Sequence, residues 1–413
     1  MRVLAMGLVL LAVPGCVSVE DRVPLVLTGD PLQDGRARIA AAGDRDRVLW
    51  QYRVGVGALR RGDADEARRI FDDALVSVAG IQADAGAADA ARARRLFRAE
   101  AEKPFIGEPY ERVMANYYRG ILYWAQGEPD NARALFRNGA FIDSDAEEKT
   151  YASDYVLLDY LDGFITQRLG GDGEDARARA QARSAFPLPA YDPDANVMLF
   201  VEYGRGPQKI ASGTEGERLA FRTEPSVAVE ARLRVGERVV ELPPYDDLHF
   251  QATTRGGRVM DYILGNKAVF KRNADAVGDA ALAAAAVVAS ERDRRPGRTR
   301  TPEEIEKEKK EAKERADAAL ALSIVGVFSK LASLATQASA DTRTWENLPQ
   351  YLSFAALHLP PGHHPAVLEF FDAQGERLDG RTQTFTLHVP TPGVPTAVVS
   401  PREVVVFRSE LPR

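Results

Sequence analysis

Apolar residues in the first half of the chain recur every three or four positions, which is the spacing of one buried helix face. Between residues 48 and 75 this pattern stops at Gly62 and resumes with Ala67, Ile70 and Phe71. Glycine ends helices well because it adopts the left-handed backbone without steric cost. The stretch therefore predicts a helix, a turn and a second helix.

The composition of that turn occurs three times in the chain. Gly127–Arg133 and Gly171–Arg177 repeat the pattern of Gly62–Arg68, with a glycine, acidic residues and an alanine in the same order. The glycine ends one helix, the acidic residues favour the positive end of the next, and the alanine lets two helices approach closely. Three stacked helical pairs are expected.

The first two pairs resemble tetratricopeptide repeats (TPR), which place a small residue in the first helix and small and aromatic residues in the second. The matching positions are Gly55, Ala67, Phe71 and Ala74, and then Gly120, Tyr123, Ala132, Phe136 and Gly139. The third pair has Ala180 at the position of the phenylalanine. The resemblance implies a face that binds peptides or proteins. The alternative is that the helical pairs only pack on one another and on the next domain.

The pattern changes after the proline-rich residues 187–193 to alternating apolar and polar positions, which is typical of strands. Strands are predicted at 196–203 and 227–233, followed by a hairpin-like stretch at 235–242, and again at 352–357, 366–371, 384–389 and 403–408. Two helices are predicted between these groups, at 266–290 and 302–339. The predicted fold class is therefore α+β and multidomain, with N-terminal TPR-like helical repeats followed by a β-sandwich-like domain that an αα-hairpin interrupts.

Cys16 is the only cysteine, and it follows a short apolar run near the N-terminus. A basic start at Arg2, an apolar core from Val3 to Val13 and the small Gly15 are typical of a secretory signal. The run resembles the lipobox of bacterial lipoproteins, in which the cysteine is acylated and becomes the first mature residue. The alternative is an ordinary cleaved signal that contains a cysteine.

These patterns divide the chain into a signal peptide (1–15), a lipidated cysteine with a flexible tether (16–45), a TPR-like helical domain (46–186), a β-sandwich-like domain (194–264 and 350–410) and an inserted helical hairpin (265–340). The 413 residues carry a formal charge of −6 with both signs interspersed, which gives no reason to expect nucleic acid as a partner. Without a second cysteine, packing alone must hold the fold together.

Two segments carry residue types that are found in active sites. Gly204–Pro207 follows a strand, but its spacing fits neither nucleotide-binding loop and Pro207 lacks an amide donor, so a structural turn is expected. His358, His363 and His364 are close in sequence, yet no cysteine or carboxylate set completes a familiar zinc pattern. Surface imidazoles are therefore expected, with no bound metal or cofactor.

A third segment, residues 341–349, joins the second predicted hairpin helix to the late strands. Trp345 and Pro349 are expected to fill the junction between the domains, while Arg343 pairs with a carboxylate. A binding hot spot uses the same residue types, which is the alternative.

Several segments together resemble a family of uncharacterised bacterial TPR lipoproteins. They are the lipobox, Glu102–Phe105 with Gly107–Arg112, Tyr117–Gly120, Glu202 with Gly204–Pro207 and Lys209, and Arg343, Trp345 and Leu348–Pro349. The resemblance spans most of the mature chain. It implies an envelope location and no established reaction.

The sequence thus favours an envelope lipoprotein that is anchored in the lipid bilayer through palmitate-type acyl chains on Cys16 and acts as a protein–protein interaction scaffold through its helical repeats. Val17 after the cysteine favours the periplasmic face of the outer membrane. The expected partner is another envelope protein, from secretion or cell-wall assembly. The residues expected to bind it are Tyr52, Tyr117, Tyr118, Arg119, Tyr123, Trp124, Arg343 and Trp345.

No nucleophile elbow and no zinc-protease motif occurs in the sequence, so a non-enzymatic role is expected. The alternative is a hydrolase that acts on cell wall or polysaccharide, or a ligand-binding protein. Either would have its cleft between the helical and β domains.

Overall fold

The computed structural model describes residues 27–86, 103–144, 154–212, 218–255, 340–391 and 403–412. Of these, 44% are helical and 25% lie in strands, which confirms the mixed helix-and-sheet class. Cys16, the signal peptide and the helices predicted at 266–290 and 302–339 lie outside the described residues.

Eight helices are described, and seven of them precede the first strand. They are α1 (Pro31–Ala41), α2 (Arg47–Arg61), α3 (Ala64–Gly86), α4 (Pro109–Ala125), α5 (Pro129–Ser144), α6 (Val156–Arg168), α7 (Glu174–Arg183) and α8 (Leu248–Arg255). Helices α2 and α3, α4 and α5, and α6 and α7 pack as three consecutive pairs.

Glycine makes the first two helical pairs geometrically feasible. Gly62 and Gly127 end α2 and α4 with φ of 82° and 80°, in the left-handed region that other residues avoid. A Cβ on Gly55 would lie 3.1 Å from the Phe71 ring, and one on Gly120 only 2.6 Å from Phe136. The helix–turn–helix predicted at each of these two turns is confirmed.

Ten described strands form two four-stranded sheets and one separate hairpin. They are β1 (Val197–Arg205), β2 (Gln208–Ser212), β3 (Arg218–Arg222), β4 (Glu230–Val235), β5 (Arg238–Leu242), β6 (Asp246–Asp247), β7 (Pro349–Leu357), β8 (Gly362–Phe371), β9 (Gln383–Val389) and β10 (Val404–Ser409). The inner sheet has the order β10–β1–β7–β6, the outer sheet β5–β4–β8–β9, and β2 pairs with β3. Only β10 and β1 are parallel among these pairs.

Strands from the two sequence groups pair directly in both sheets. Phe200 in β1 faces Phe354 in β7, and Leu233 in β4 faces Leu368 in β8. The residues before 256 and those after 339 therefore build one sandwich.

The inner sheet is covered on both faces. Met198 and Phe200 in β1 belong to the core shared with the helices, while Val197, Leu199 and Val201 belong to the core between the two sheets. Every residue of β1 except Arg205 is buried. Burial on both faces explains why this strand is almost continuously apolar.

The first helix of each pair lies against the inner sheet. The Tyr117 ring centroid in α4 is 6.1 Å from that of Phe200, and the Phe164 centroid in α6 is 6.0 Å from that of Phe354. One apolar core therefore runs from the helical layer into the β layer. At the predicted boundary between the helical domain and the β domain, the two layers pack together and share this core.

The prediction of a flexible tether over residues 16–45 is wrong for its second half, because α1 occupies part of it. Asp30 accepts hydrogen bonds from the backbone N–H of Leu32 and Gln33, and Pro31 stands at the first helical position. Gly35 lets α1 settle on α2, since a Cβ there would lie 2.5 Å from Val54.

Asp246 caps α6 from a distant part of the sequence. Its two oxygens accept hydrogen bonds from Val156 N at 2.7 Å and Leu157 N at 3.0 Å. Burial raises the pKa of this carboxyl to about 7. The cap ties the short strand β6 to the helical layer.

Candidate functional site

Six of the eight side chains expected to bind a partner lie in the core. Each of them is at most 3% exposed: Tyr52, Tyr117, Tyr118, Arg119, Trp124 and Trp345. The five aromatic side chains belong to the core that the helices share with the inner sheet, while Arg119 pairs with Asp72 in α3 at 2.6 Å. A buried side chain presents no surface to a partner. The structure corrects the prediction for these six, because helical spacing identifies a buried face without saying what buries it.

The other two predicted residues are partly buried. The Arg119 guanidinium lies over the Tyr123 ring, 3.4 Å from its centroid. The Arg343 side chain is 12% exposed and pairs with Asp341 at 2.6 Å and Asp46 at 3.0 Å. The expected pairing of Arg343 with a carboxylate is confirmed.

Trp345 fills the junction as expected. Its ring is fully buried and stacks on Tyr52 with centroids 4.5 Å apart. Phe71 and Tyr118 complete its aromatic surroundings. The segment before β7 is thereby inserted between α2, α3 and α4.

A buried charge cluster around Glu202 joins the helices to the inner sheet. Arg60 Nε donates to Glu202 Oε1 at 2.6 Å, and the Tyr118 hydroxyl donates to Glu202 Oε2 at 2.5 Å. Arg60 Nη2 also donates to the Asn347 carbonyl at 2.7 Å. The Arg60 and Glu202 side chains are 2% and 0% exposed, so each charge depends on the other for compensation.

A second buried cluster surrounds Glu111 in α4. Lys209 Nζ donates to Glu111 Oε2 at 2.5 Å, while the backbone N–H of Trp345 donates to Oε1 at 2.8 Å. The Glu108 N–H is a third donor to this carboxylate. Like the Glu202 cluster, it joins a helix to a strand, and its charged side chains are at most 2% exposed.

The predicted histidine cluster is divided between two surroundings. His364 Nε2 lies 2.7 Å from the Pro360 carbonyl oxygen. His363 is exposed and faces His388 across β8 and β9, with ring centroids 4.4 Å apart. Over the described ranges, no three histidine, cysteine or carboxylate side chains are grouped to hold a metal ion.

Ser226, His249 and Asp247 lie near one another but are not connected as a catalytic triad. His249 Nε2 lies 2.8 Å from the Arg205 carbonyl, and Asp247 Oδ1 accepts from the His249 backbone N–H. Ser226 Oγ donates to Gln350 Oε1. A nucleophilic serine needs a bond to the imidazole, and this serine bonds to an amide.

A groove of about 680 Å³ lies where the helical layer, the inner sheet and the outer sheet meet. Five stretches of chain contribute to this junction groove. Its lining residues are Ala185, Phe186, Pro187, Pro189, Val229, Glu230, Glu241, Pro243, Pro244, Tyr245, Asp247, Tyr351, Asp372, Ala373 and Gly375. Seven of these fifteen residues are prolines or aromatic residues.

The junction groove is acidic. Four carboxylates line it, with no lysine or arginine among the described residues of its walls. Arg232, which lies outside the groove, holds Glu230 at 2.7 Å and Glu241 at 2.9 Å. Asp372 accepts hydrogen bonds from the N–H groups of two residues in the turn that follows it. The carboxylates are therefore held in place.

Two tyrosine hydroxyls line the same groove. Neither Tyr245 nor Tyr351 uses its hydroxyl in a hydrogen bond within the described part of the chain, so both are available to a ligand. Burial raises the pKa of Tyr245 to about 12, so this hydroxyl remains a hydrogen-bond donor at neutral pH.

None of the groove residues stands out in the sequence. Residues 187–193 are recognisable only as a turn, and Tyr245 and Tyr351 are more than a hundred residues apart. Only the pairing of β6 with β7 brings these two segments together. The same holds for His388, which strand register places beside His363.

No family model, no curated protein and no solved structure matches this chain. None of the described helices combines the length and the apolarity needed to cross a bilayer.

Proposed function

We propose that this chain is a lipid-anchored envelope protein that binds an extended polypeptide segment of another envelope protein in the junction groove. The groove carries the proposal, because it combines an apolar, proline-rich and aromatic surface with four carboxylates. A segment with lysine or arginine beside apolar side chains is complementary to that surface in shape and charge. Two unpartnered tyrosine hydroxyls are available to its backbone carbonyls.

The helical pairs are TPR-like in this proposal, but they serve as a support. The first helix of each pair, whose face would bind a peptide in a repeat array, lies against the inner sheet. The outer helices α3 and α5 expose only isolated large apolar side chains, such as Val76 and Phe141. Both observations favour the junction groove over the repeats as the docking surface.

A binding role is favoured over hydrolysis because of how the groove carboxylates are held. Arg232 bridges Glu230 and Glu241, and Asp372 and Asp247 accept hydrogen bonds from backbone N–H groups. These contacts fix the positions of the carboxylates. Burial raises the pKa of Asp247, as a general acid requires, but both oxygens of this carboxyl already accept hydrogen bonds, one from the His249 backbone N–H and one from the Gln350 side chain. Asp247 is therefore held by the protein and is not directed at a substrate.

Cys16→Ala is expected to move the protein from the membrane fraction to the soluble fraction, because acyl chains on this cysteine supply the anchor. Several chains are required, since a single one gives only marginal membrane binding. Immunoblots of fractionated cells measure the change, with Ser18→Ala as the matched control. Equal membrane association of Cys16→Ala and the wild type would contradict the anchor.

Photocrosslinking from the junction groove tests the docking site. A photoreactive amino acid at Phe186 is expected to cross-link a basic peptide of the partner in intact envelopes, while the same probe at the exposed Phe141 is not. Glu241→Lys is expected to lower the yield about fivefold, since one reversed rim charge costs roughly 1 kcal/mol. Mass spectrometry identifies the linked peptide.

Glu237→Lys is the matched control, because Glu237 is exposed in the same β-hairpin but does not line the groove. Its yield should equal that of the wild type. A cross-link that forms from Phe141 and not from Phe186 would move the docking site to the helical layer. A yield unaffected by Glu241→Lys would remove the electrostatic part of the proposal.

A further inference from the structure

Five arginines line a second cleft, which is opposite in charge to the junction groove. This arginine pocket has a volume of about 390 Å³ and is formed by α1, α2, the end of β1, residues 346–348 and residues 411–412. Its arginines are Arg38, Arg53, Arg60, Arg61 and Arg205. Glu346 is the one carboxylate among the described lining residues.

The positive charges of the arginine pocket are incompletely compensated. Arg60 is neutralised by the buried Glu202, but Arg61 and Arg205 form only solvent-exposed pairs, at 3.2 Å and 3.7 Å. Arg53 pairs with Glu346, whose side chain is 61% exposed. Exposed pairs contribute little to stability, so a ligand of higher charge can replace them.

Arg38 has no carboxylate partner in the described part of the chain. Its guanidinium lies 4.7 Å from the centroid of the Trp50 ring, and that of Arg53 lies 4.8 Å from the same centroid. The ring therefore holds two cations near each other. Arg53 Nε is buried without an acceptor, which leaves a donor of this cation unused.

We propose that the arginine pocket binds a phosphate-bearing anion. Planar guanidinium groups match the oxygens of a phosphate with two parallel hydrogen bonds, which a lysine cannot do. Arg38, Arg61 and Arg205 supply the accessible donors, and the pocket volume accommodates a phosphate with part of an attached alcohol.

The phosphate has two available sources, a soluble phosphate and a lipid headgroup. The lipid source rests on the proposed anchor: Pro31, at the pocket edge, is 15 residues after Cys16, which spans about 50 Å when fully extended. A headgroup beside the anchored cysteine is therefore within reach. Binding of soluble phosphate does not depend on the anchor.

The test uses the full-length protein in non-ionic detergent micelles, with intrinsic fluorescence as the signal. Trp124 and Trp345 are buried, so a response that Trp50→Phe abolishes comes from the pocket. Inorganic phosphate is titrated at constant ionic strength against chloride. Separate titrations add phosphatidylglycerol or phosphatidylcholine to the micelles.

Saturable binding of inorganic phosphate is expected, and Arg38→Gln should weaken it about tenfold, as the loss of one charge-assisted hydrogen bond does. Arg205→Gln is a second variant at an exposed position. Arg36→Gln on the same helix is the matched control, since Arg36 pairs with Glu66 outside the pocket.

Tighter binding of phosphatidylglycerol than of inorganic phosphate would assign the site to a lipid headgroup, and a response to inorganic phosphate alone would assign it to a soluble ligand. The proposal is overturned if chloride gives the same response as phosphate, or if Arg36→Gln weakens binding as much as Arg38→Gln. It is also overturned if neither phosphate nor lipid produces a saturable change.

Discussion

Replacement of Glu202 by leucine is expected to lower the free energy of unfolding by about 3–5 kcal/mol. The change leaves the Arg60 guanidinium, 2% exposed, without its counter-ion beneath the helical layer. It also removes the acceptor of the Tyr118 hydroxyl. Urea unfolding followed by circular dichroism measures the loss.

The double variant Arg60→Met with Glu202→Leu is expected to be more stable than Glu202→Leu alone, because it removes the uncompensated charge. Glu174→Leu, which breaks the exposed pair with Arg177, is the control and should have little effect. If Glu202→Leu unfolds at the wild-type urea concentration, the cluster is hydrated and does not lock the two layers together.

Replacement of Trp345 by alanine is expected to cost about 3–5 kcal/mol of unfolding free energy, as for other buried large-to-small changes. The indole is fully buried and stacks on Tyr52, so its removal leaves a cavity between α2, α3 and α4. The segment before β7 would also lose its main apolar contact with the helices. Thermal and urea unfolding measure the effect.

Trp345→Phe is the informative comparison. Its ring keeps most of the packing and removes the indole N–H, which is buried without a hydrogen-bond partner. We therefore expect a clearly smaller loss than for alanine. Equal losses in the two variants would show that the cavity is not what destabilises Trp345→Ala.

Local signals in the sequence were sufficient to predict several individual helices and strands of this fold. The glycines at 62 and 127 mark helix ends that the structure contains, because a left-handed backbone there depends on the residue itself. The strands near 197–205 and 349–357 were recognisable from apolar runs. Helix α1 was missed, although Asp30 followed by Pro31 is a capping signal within the sequence.

The prediction of the partner-binding residues was wrong for a reason that applies to any local sequence pattern. Tyr52, Tyr118 and Trp345 have the composition of a binding hot spot, and the same composition fills a core. Which of the two applies depends on what covers the helix face, and here the chain's own inner sheet covers it. Periodicity contains no information on that covering layer.

What the sequence determined by itself is local: the glycines that end two helices, the apolar faces of several helices and strands, and the position of Cys16 at the end of a signal-like run. The tertiary structure alone decided which charges meet. Arg60 and Glu202 are 142 positions apart, and the junction groove gathers residues from five stretches of chain. Side-chain spacing governs contacts within a helix or strand, whereas contacts between distant segments depend on how the layers pack.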